Sequence, residues 1–211
     1  MQISIIGAGN MAAGIATRAL AGGHSVRLTD LDPAKAKALA EDLRARVPGA
    51  DVDVDLAALS EADIVVLALP FAAAEEFAAA NREELAGRVA VDISNPVDAT
   101  FDSLVVPPGT SAAERIAAAA PGARVVKAFN TTFAGPLVAG QAGGAPLDVF
   151  IAGDDTGAKQ AVADLAASGG LRPIDAGPLR RARELEGFQL LHMALQQTLG
   201  TNFASAIKIL G

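Results

Sequence analysis

Apolar residues fall in two patterns along this chain. In one they form short unbroken runs; in the other they recur every three or four positions. Ile3–Ile6, Ile64–Leu69, Val89–Ile93, Val125–Phe129 and Val149–Ala152 are runs of the first kind. An unbroken apolar run bounded by polar or glycine positions predicts a strand whose sheet is covered on both faces. His24–Asp30, opened by Gly22-Gly23, Asp51–Asp55 and Leu171–Asp175 complete the predicted strands. Between them, Met11–Ala21, Pro33–Arg46, Phe71–Ala80, Ala112–Ala120 and Thr156–Ala167 carry helical spacing. Asp32 stands as the N-cap of the second helix, with Pro33 at its first position, where a missing N–H does no harm. Strands and helices that alternate in this way predict a doubly wound α/β fold around a mostly parallel sheet.

The pattern changes near residue 179. Phe188, Leu191, Leu195, Leu199, Phe203, Ile207 and Leu210 recur at three- and four-residue spacing, with Leu190, Met193 and Ile209 on a partial second face. This predicts an amphipathic terminal helix, interrupted near Gly200. Residues 1–178 are therefore read as one α/β domain and 179–211 as a C-terminal helical extension of the same compact unit. A helix apolar on more than one face buries against a second copy, giving a homodimer, or folds wholly onto its own domain.

The first strand runs into Gly7-Ala8-Gly9-Asn10-Met11-Ala12, which fills the G-x-G-x-x-G/A pattern with a helix behind it. Gly7 permits the tight turn, Gly9 lets a pyrophosphate approach the backbone, and Ala12 allows close helix–strand packing. The pyrophosphate would rest on unpaired amides at the positive end of the helix. The expected fold is thus Rossmann-like, with ligands outside the carboxyl ends of the strands. Those ends carry Gly7 to Met11, Asp30, Leu69-Pro70-Phe71, Ser94-Asn95-Pro96 and Asn130-Thr131-Thr132. Leu69 and Pro70 would press on ribose and pyrophosphate. Asn95-Pro96 lies where a nicotinamide is expected, although Asn-Pro also simply favours a turn. Asp30 accepts hydrogen bonds from ribose hydroxyls and repels a 2′-phosphate, which favours NAD. Arg27 and Lys35 leave room for some phosphate affinity.

Composition narrows the picture. The chain has 211 residues, no cysteine and a formal charge of −7. That excludes disulfides, thiolate metal sites and a cysteine nucleophile, and disfavours nucleic acid as a partner. No signal peptide precedes the first strand and no apolar run is long enough to span a membrane, so a cytoplasmic protein without membrane contact is expected. No metal-ligand spacing or Ser–His–Asp order is present. His24 reads as a surface residue and His192 as a packed or interface one. Lys127 is a candidate proton donor or a structural residue.

Several blocks together resemble the coenzyme F420-dependent NADP oxidoreductases, and the nucleotide-binding domain of six-transmembrane metalloreductases is similar. They are Gly7–Met11, Asp92–Pro96, Val125–Thr131, Gly153-Asp154-Asp155 and Gly170–Leu179. The resemblance implies hydride transfer between a nicotinamide dinucleotide and a deazaflavin stacked on it. It implies that Ala8 to Met11 hold pyrophosphate and that Phe71 and Ala73 flank the dinucleotide. Asn95, Pro96 and Ala134 would lie near the nicotinamide, Asn130 and Thr132 near the second ring. Two positions depart from the family pattern. Asp30-Leu31 replaces a Ser-Arg pair that holds the 2′-phosphate, with only Lys35 kept, and Asn130 replaces the histidine of the archaeal enzymes. The expected cofactors are therefore NADP, by family, or NAD, by Asp30, with coenzyme F420 as acceptor. Arg180, Arg181 and Arg183 could meet a polyanionic cofactor tail or form a solvated helix start. Two alternatives stay open: a reductase of small imines or carbonyls, needing a proton donor such as Lys127 or His192, and a non-catalytic dinucleotide sensor.

Overall fold

The computed structural model describes residues 1–54 and 59–210. An eight-stranded sheet in the order β10-β9-β6-β5-β4-β1-β2-β3 forms the frame. Its strands are β1 Gln2–Ile6, β2 Ser25–Thr29, β3 Val52–Val54, β4 Ile64–Leu67, β5 Val89–Asp92, β6 Arg124–Lys127, β9 Asp148–Gly153 and β10 Arg172–Gly177. From β3 to β6 the ladder is parallel; β9 pairs antiparallel with β6 and parallel with β10. The mostly parallel, Rossmann-like sheet expected from the sequence is therefore present. Asp55, expected to end the third strand, lies outside the described residues.

Helices cover both faces. α1 Asn10–Ala21, α2 Pro33–Arg46, α5 Ala134–Ala139 and α6 Thr156–Ser168 pack on one side, through Ile15, Leu39, Leu137 and Val162 against Ile3, Ile5, Val66 and Val149. α3 Phe71–Ala80 and α4 Ala112–Ala119 cover the other, through Ala74, Ala78 and Ile116 against Val65, Leu67 and Ala90. The capping expectation holds: Asp32 accepts from Ala34 N at 3.0 Å, with Pro33 at the start of α2. Gly14 lets α5 pack close on α1, because a Cβ there would stand 3.0 Å from the Leu137 side chain.

Two regions differ from the sequence reading. Between β6 and β9 the chain forms α5 and a small hairpin, β7 Gln141–Ala142 and β8 Ala145–Pro146, closed by Gly143-Gly144 at φ 57 and 80°. Two adjacent glycines with positive φ make a tight hairpin turn. The second difference is the terminus. α7 runs from Ala182 to Leu199 and stops at Gly200, which is left-handed and caps the helix. Residues 201–210 then fold back as an irregular strap, so Phe203, Ile207 and Leu210 are not on the helical stripe. The inward face of α7 is also unexpected. Leu185, Glu186, Gln189, His192 and Gln196 are buried, whereas Phe188, Leu191, Leu195 and Leu199 point outward, Leu191 at 56% and Leu199 at 58% exposure.

Candidate functional site

Gly7 sits at φ +103°, and a Cβ on it would lie 2.4 Å from Ala68 O. Only glycine fits that turn. Gly9 begins α1 with open space where its Cβ would be, and the helix has no side-chain cap. The first amides of α1 thus remain available to an anion, as the motif predicts. Ala12 is fully buried against the sheet. Ala8 is a partial exception. Its N–H donates to Asp30 Oδ2 at 2.8 Å, so that amide is held by the protein itself.

On one side of this loop lies a cavity of about 560 Å³ lined by Gly7, Asp30, Leu31, Leu69, Ala73, Glu76 and Phe77 among others. It has the place expected for an adenosine. Asp30 also accepts from Asp32 N at 2.9 Å, so its carboxylate ties the glycine loop to the start of α2. Lys35 is exposed and is not among the residues lining this cavity. Among the described residues, the lining includes two carboxylates, Asp30 and Glu76, and no cation.

On the other side is a larger cavity of about 710 Å³. Asn95, Asn130, Thr132 and Ala134, expected near the two rings, meet there, together with Met11, which was expected at the pyrophosphate. Asn95 and Asn130 join the ends of β5 and β6. Asn95 Nδ2 donates to Asn130 O and Asn130 Nδ2 to Asn95 Oδ1, each at 3.0 Å, while Asn130 Nδ2 also donates to Leu185 O at 3.3 Å. The carbonyl partners fix both amide orientations, since a carbonyl can only accept. Phe129 turns the chain into this pair at φ +61° while only 1% exposed. A bulky residue there stores about 1–3 kcal/mol of backbone strain, a feature that gathers at functional sites. Ser94 Oγ, Asn130 Oδ1 and Thr131 Oγ1 are buried without a protein partner at these same strand ends.

Beneath the pair lies a buried ion cluster. Lys127 Nζ donates to Asp92 Oδ2 at 2.7 Å and Ser94 O at 2.6 Å, and pairs with Glu186 Oε1 at 2.8 Å. All three charged side chains are fully buried. Burial pushes the Glu186 carboxyl up, and Lys127 together with the Ala112 amide counters it. Glu186 thereby caps α4 from α7, accepting from Ala112 N at 3.1 Å. Lys127 has an acceptor for each of its N–H bonds, which makes it a structural cation. Removing one member would leave buried charge uncompensated, a loss of about 3–5 kcal/mol. His192 is likewise packed: its ring lies 4.5 Å from Phe133, with Gln189 and Ser205 on its two nitrogens. Burial lowers its pKa, which favours the neutral ring.

Several expected residues stand apart from both cavities. Phe71 lies under the Arg115 guanidinium, 5.7 Å from its ring centroid, against α4. Pro96 is buried and its carbonyl accepts from Val105 N at 2.7 Å. Pro70 and Asn10 are exposed at the helix starts. Of the arginines considered for a cofactor tail, Arg181 pairs with Glu184 and Arg183 with Glu114. Sequence reasoning missed Phe133, Gln141, Gln189, Met193, Asn202 and Phe203, which complete the larger cavity. The Gly143-Gly144 pair was a readable signal for the hairpin carrying Gln141; nothing local marks the rest.

Residues 2–96 match the family model described as NADP oxidoreductase, coenzyme F420-dependent. The F420-dependent NADP reductase of Methanothermobacter thermautotrophicus is 31% identical over 198 residues, covering 88% of this chain and 85% of that protein. Metalloreductase STEAP3 of Rattus norvegicus is 32% identical over 189 residues; the match takes in 90% of this chain but 36% of the metalloreductase. A solved structure from Arthrobacter sp. FB24, provisionally described as an F420-dependent NADP reductase, superimposes with a TM-score of 0.85 at 30% identity over 99% of both chains. An imine reductase from Streptomyces aurantiacus shares the fold, with a TM-score of 0.65 at 23% identity and 64% of its own length covered.

Proposed function

The chain belongs to the coenzyme F420-dependent NADP oxidoreductase family and is an NAD(P)-dependent oxidoreductase; on that premise we propose that it moves a hydride between a nicotinamide dinucleotide and a flavin-like acceptor, with coenzyme F420 as the leading acceptor. One observation carries this reading: among the described residues, no ionisable side chain lines the larger cavity. A reductase of small imines or carbonyls needs a positioned proton donor. Lys127 and His192 are the two sequence candidates. Both are held in other contacts, and neither lines the cavity. Hydride exchange between two rings needs proximity and alignment; the dinucleotide supplies the hydride, and the proton that completes the reduced deazaflavin comes from solvent rather than from a wall side chain.

The chain's own residues bind and orient. The open amides at the start of α1 would hold the pyrophosphate, and Asp30 the adenosine ribose. Leu69 and Ala73 flank the dinucleotide, and Asn95, Asn130, Thr132 and Ala134 frame the ring region. Asp30 and Glu76, with no cation beside them among the described residues lining the smaller cavity, favour the 2′-hydroxyl of NADH over the 2′-phosphate of NADPH. The outer face of α7 meets a second copy in this reading. Residues 188–200 contain no Asp, Glu, Lys or Arg, so two such helices can pair without charge repulsion in a chain of net −7.

The test is a spectrophotometric assay of the purified protein with oxidised coenzyme F420 and either NADH or NADPH. Loss of deazaflavin absorbance with either donor is expected, faster with NADH. Dinucleotide binding without turnover of the deazaflavin would overturn the reading and favour the sensor.

A further inference from the structure

We infer that the larger cavity takes its acceptor ring through uncharged contacts alone and leaves an anionic tail on that ring to the solvent. The inference rests on the reading that this cavity receives a flavin-like acceptor. The wall offers two kinds of contact. Met11, Phe133, Met193 and Phe203 give flat or pliable apolar surface suited to a planar ring. Asn95, Asn130, Thr132, Gln141, Gln189 and Asn202 give neutral donors and acceptors. Among the described residues no Arg, Lys or His lines it.

Cations on α1, α7 and the strap already have partners, and Arg180, in the turn before α7, is not among the residues lining the cavity. Arg18 donates to Val138 O at 2.8 Å and so closes the end of α5. Lys208 reaches the neighbouring hollow under the strap, where it pairs with Asp148 Oδ1 at 2.7 Å. Arg172 holds the same carboxylate through its Nε at 2.7 Å. Arg181 and Arg183 are paired with Glu184 and Glu114, and Arg180 sits exposed in the turn before α7. A phosphate or a row of carboxylates trailing from the ring therefore meets no free cation on the wall. It meets instead the field of a chain with formal charge −7, which repels polyanions more strongly at low salt.

The experiment compares coenzyme F420 with the same deazaflavin carrying only its ribityl chain. Binding of each to the dinucleotide-loaded protein is followed by deazaflavin fluorescence at about 20 and about 200 mM salt, so that screening changes several-fold. The expected dissociation constants agree within about threefold, less than a surface ion pair can supply. Coenzyme F420 should tighten as salt rises, and the tail-free ring should not change. Tighter binding of coenzyme F420 by more than about threefold, lost as salt rises, would show a tail-gripping cation and overturn the inference. Turnover is recorded separately. Binding of both rings without hydride transfer overturns the proposed activity and leaves the neutral-wall assignment standing. Absence of binding by either ring overturns both.

Discussion

Asp30 does two jobs with one carboxylate. It lines the smaller cavity beside the glycine loop, and it accepts from the amides of Ala8 and Asp32. The double variant Asp30→Ser/Leu31→Arg removes the negative charge and adds a guanidinium beside the ribose. The NADPH-to-NADH ratio of kcat/KM should rise at least about tenfold, equivalent to about 1.4 kcal/mol. A serine hydroxyl can replace at most one of the two amide contacts, so the melting temperature should fall with a loss of about 1 kcal/mol. An unchanged coenzyme ratio would mean that Asp30 serves only the glycine loop. Lys127 shows the complementary limit of residue-by-residue reading. Its strand position makes it look available to a ligand, but Asp92 and Glu186 close it off. Glu186 lies far along the chain on a helix whose buried face is polar, and no periodicity rule brings the two together.

Among the elements, the strap of residues 201–210 depends on two anchors. Gln196 Oε1 accepts from Thr201 Oγ1 at 2.6 Å, Phe203 N at 3.1 Å and Ser205 Oγ at 3.0 Å. Asp148 accepts from Lys208 and from Ile209 N at 2.8 Å, while Arg172 reaches Ile209 O. Burial alone would raise the Asp148 carboxyl; Arg172, Lys208 and the Ile209 amide outweigh it and bring it down from 3.8 to about 2. A depressed carboxyl contributes stability that is fully present above its unfolded pKa and is lost as pH falls through the folded one. The contribution is about 2 kcal/mol at neutral pH and disappears towards pH 2. Thermal melts of the protein and of Asp148→Asn should therefore differ near neutrality and converge in acid, with faster amide exchange over 201–210 in the variant. A difference that ignores pH would show that the carboxylate charge is not the latch. Legibility follows the same logic at this scale. Pro33–Arg46 and Phe71–Ala80 match their expected bounds because caps and breakers are local. The terminal stripe misleads beyond Gly200 because four-residue spacing continues numerically after the backbone has turned left-handed. α5 was missed because Ala-Gly-Pro-Leu is too short and too weakly helical to stand out. Half of the larger cavity was missed with it, since α5, the hairpin and the strap supply that wall.

For the whole molecule, α7 presents Phe188, Leu191, Leu195 and Leu199 at its exposed face, Phe188 edge-on to the Phe150 ring, and its polar side faces in. An apolar row on one helix is self-complementary under a two-fold axis. Leu191→Glu/Leu195→Glu should convert a dimer to a monomer in light scattering and leave dinucleotide binding intact, because neither residue lines a cavity. A monomeric parent protein would overturn the second-copy reading. Among the described residues no helix is long and apolar enough to cross a membrane. The uncharged wall of the larger cavity also bears on kinetics. Where no wall residue titrates, the acidity that governs a single turnover belongs to the acceptor. The pH–rate curve would then shift when the acceptor is exchanged and hold its midpoint across wall variants, so that the substrate, rather than the protein, sets the pH response of the reaction.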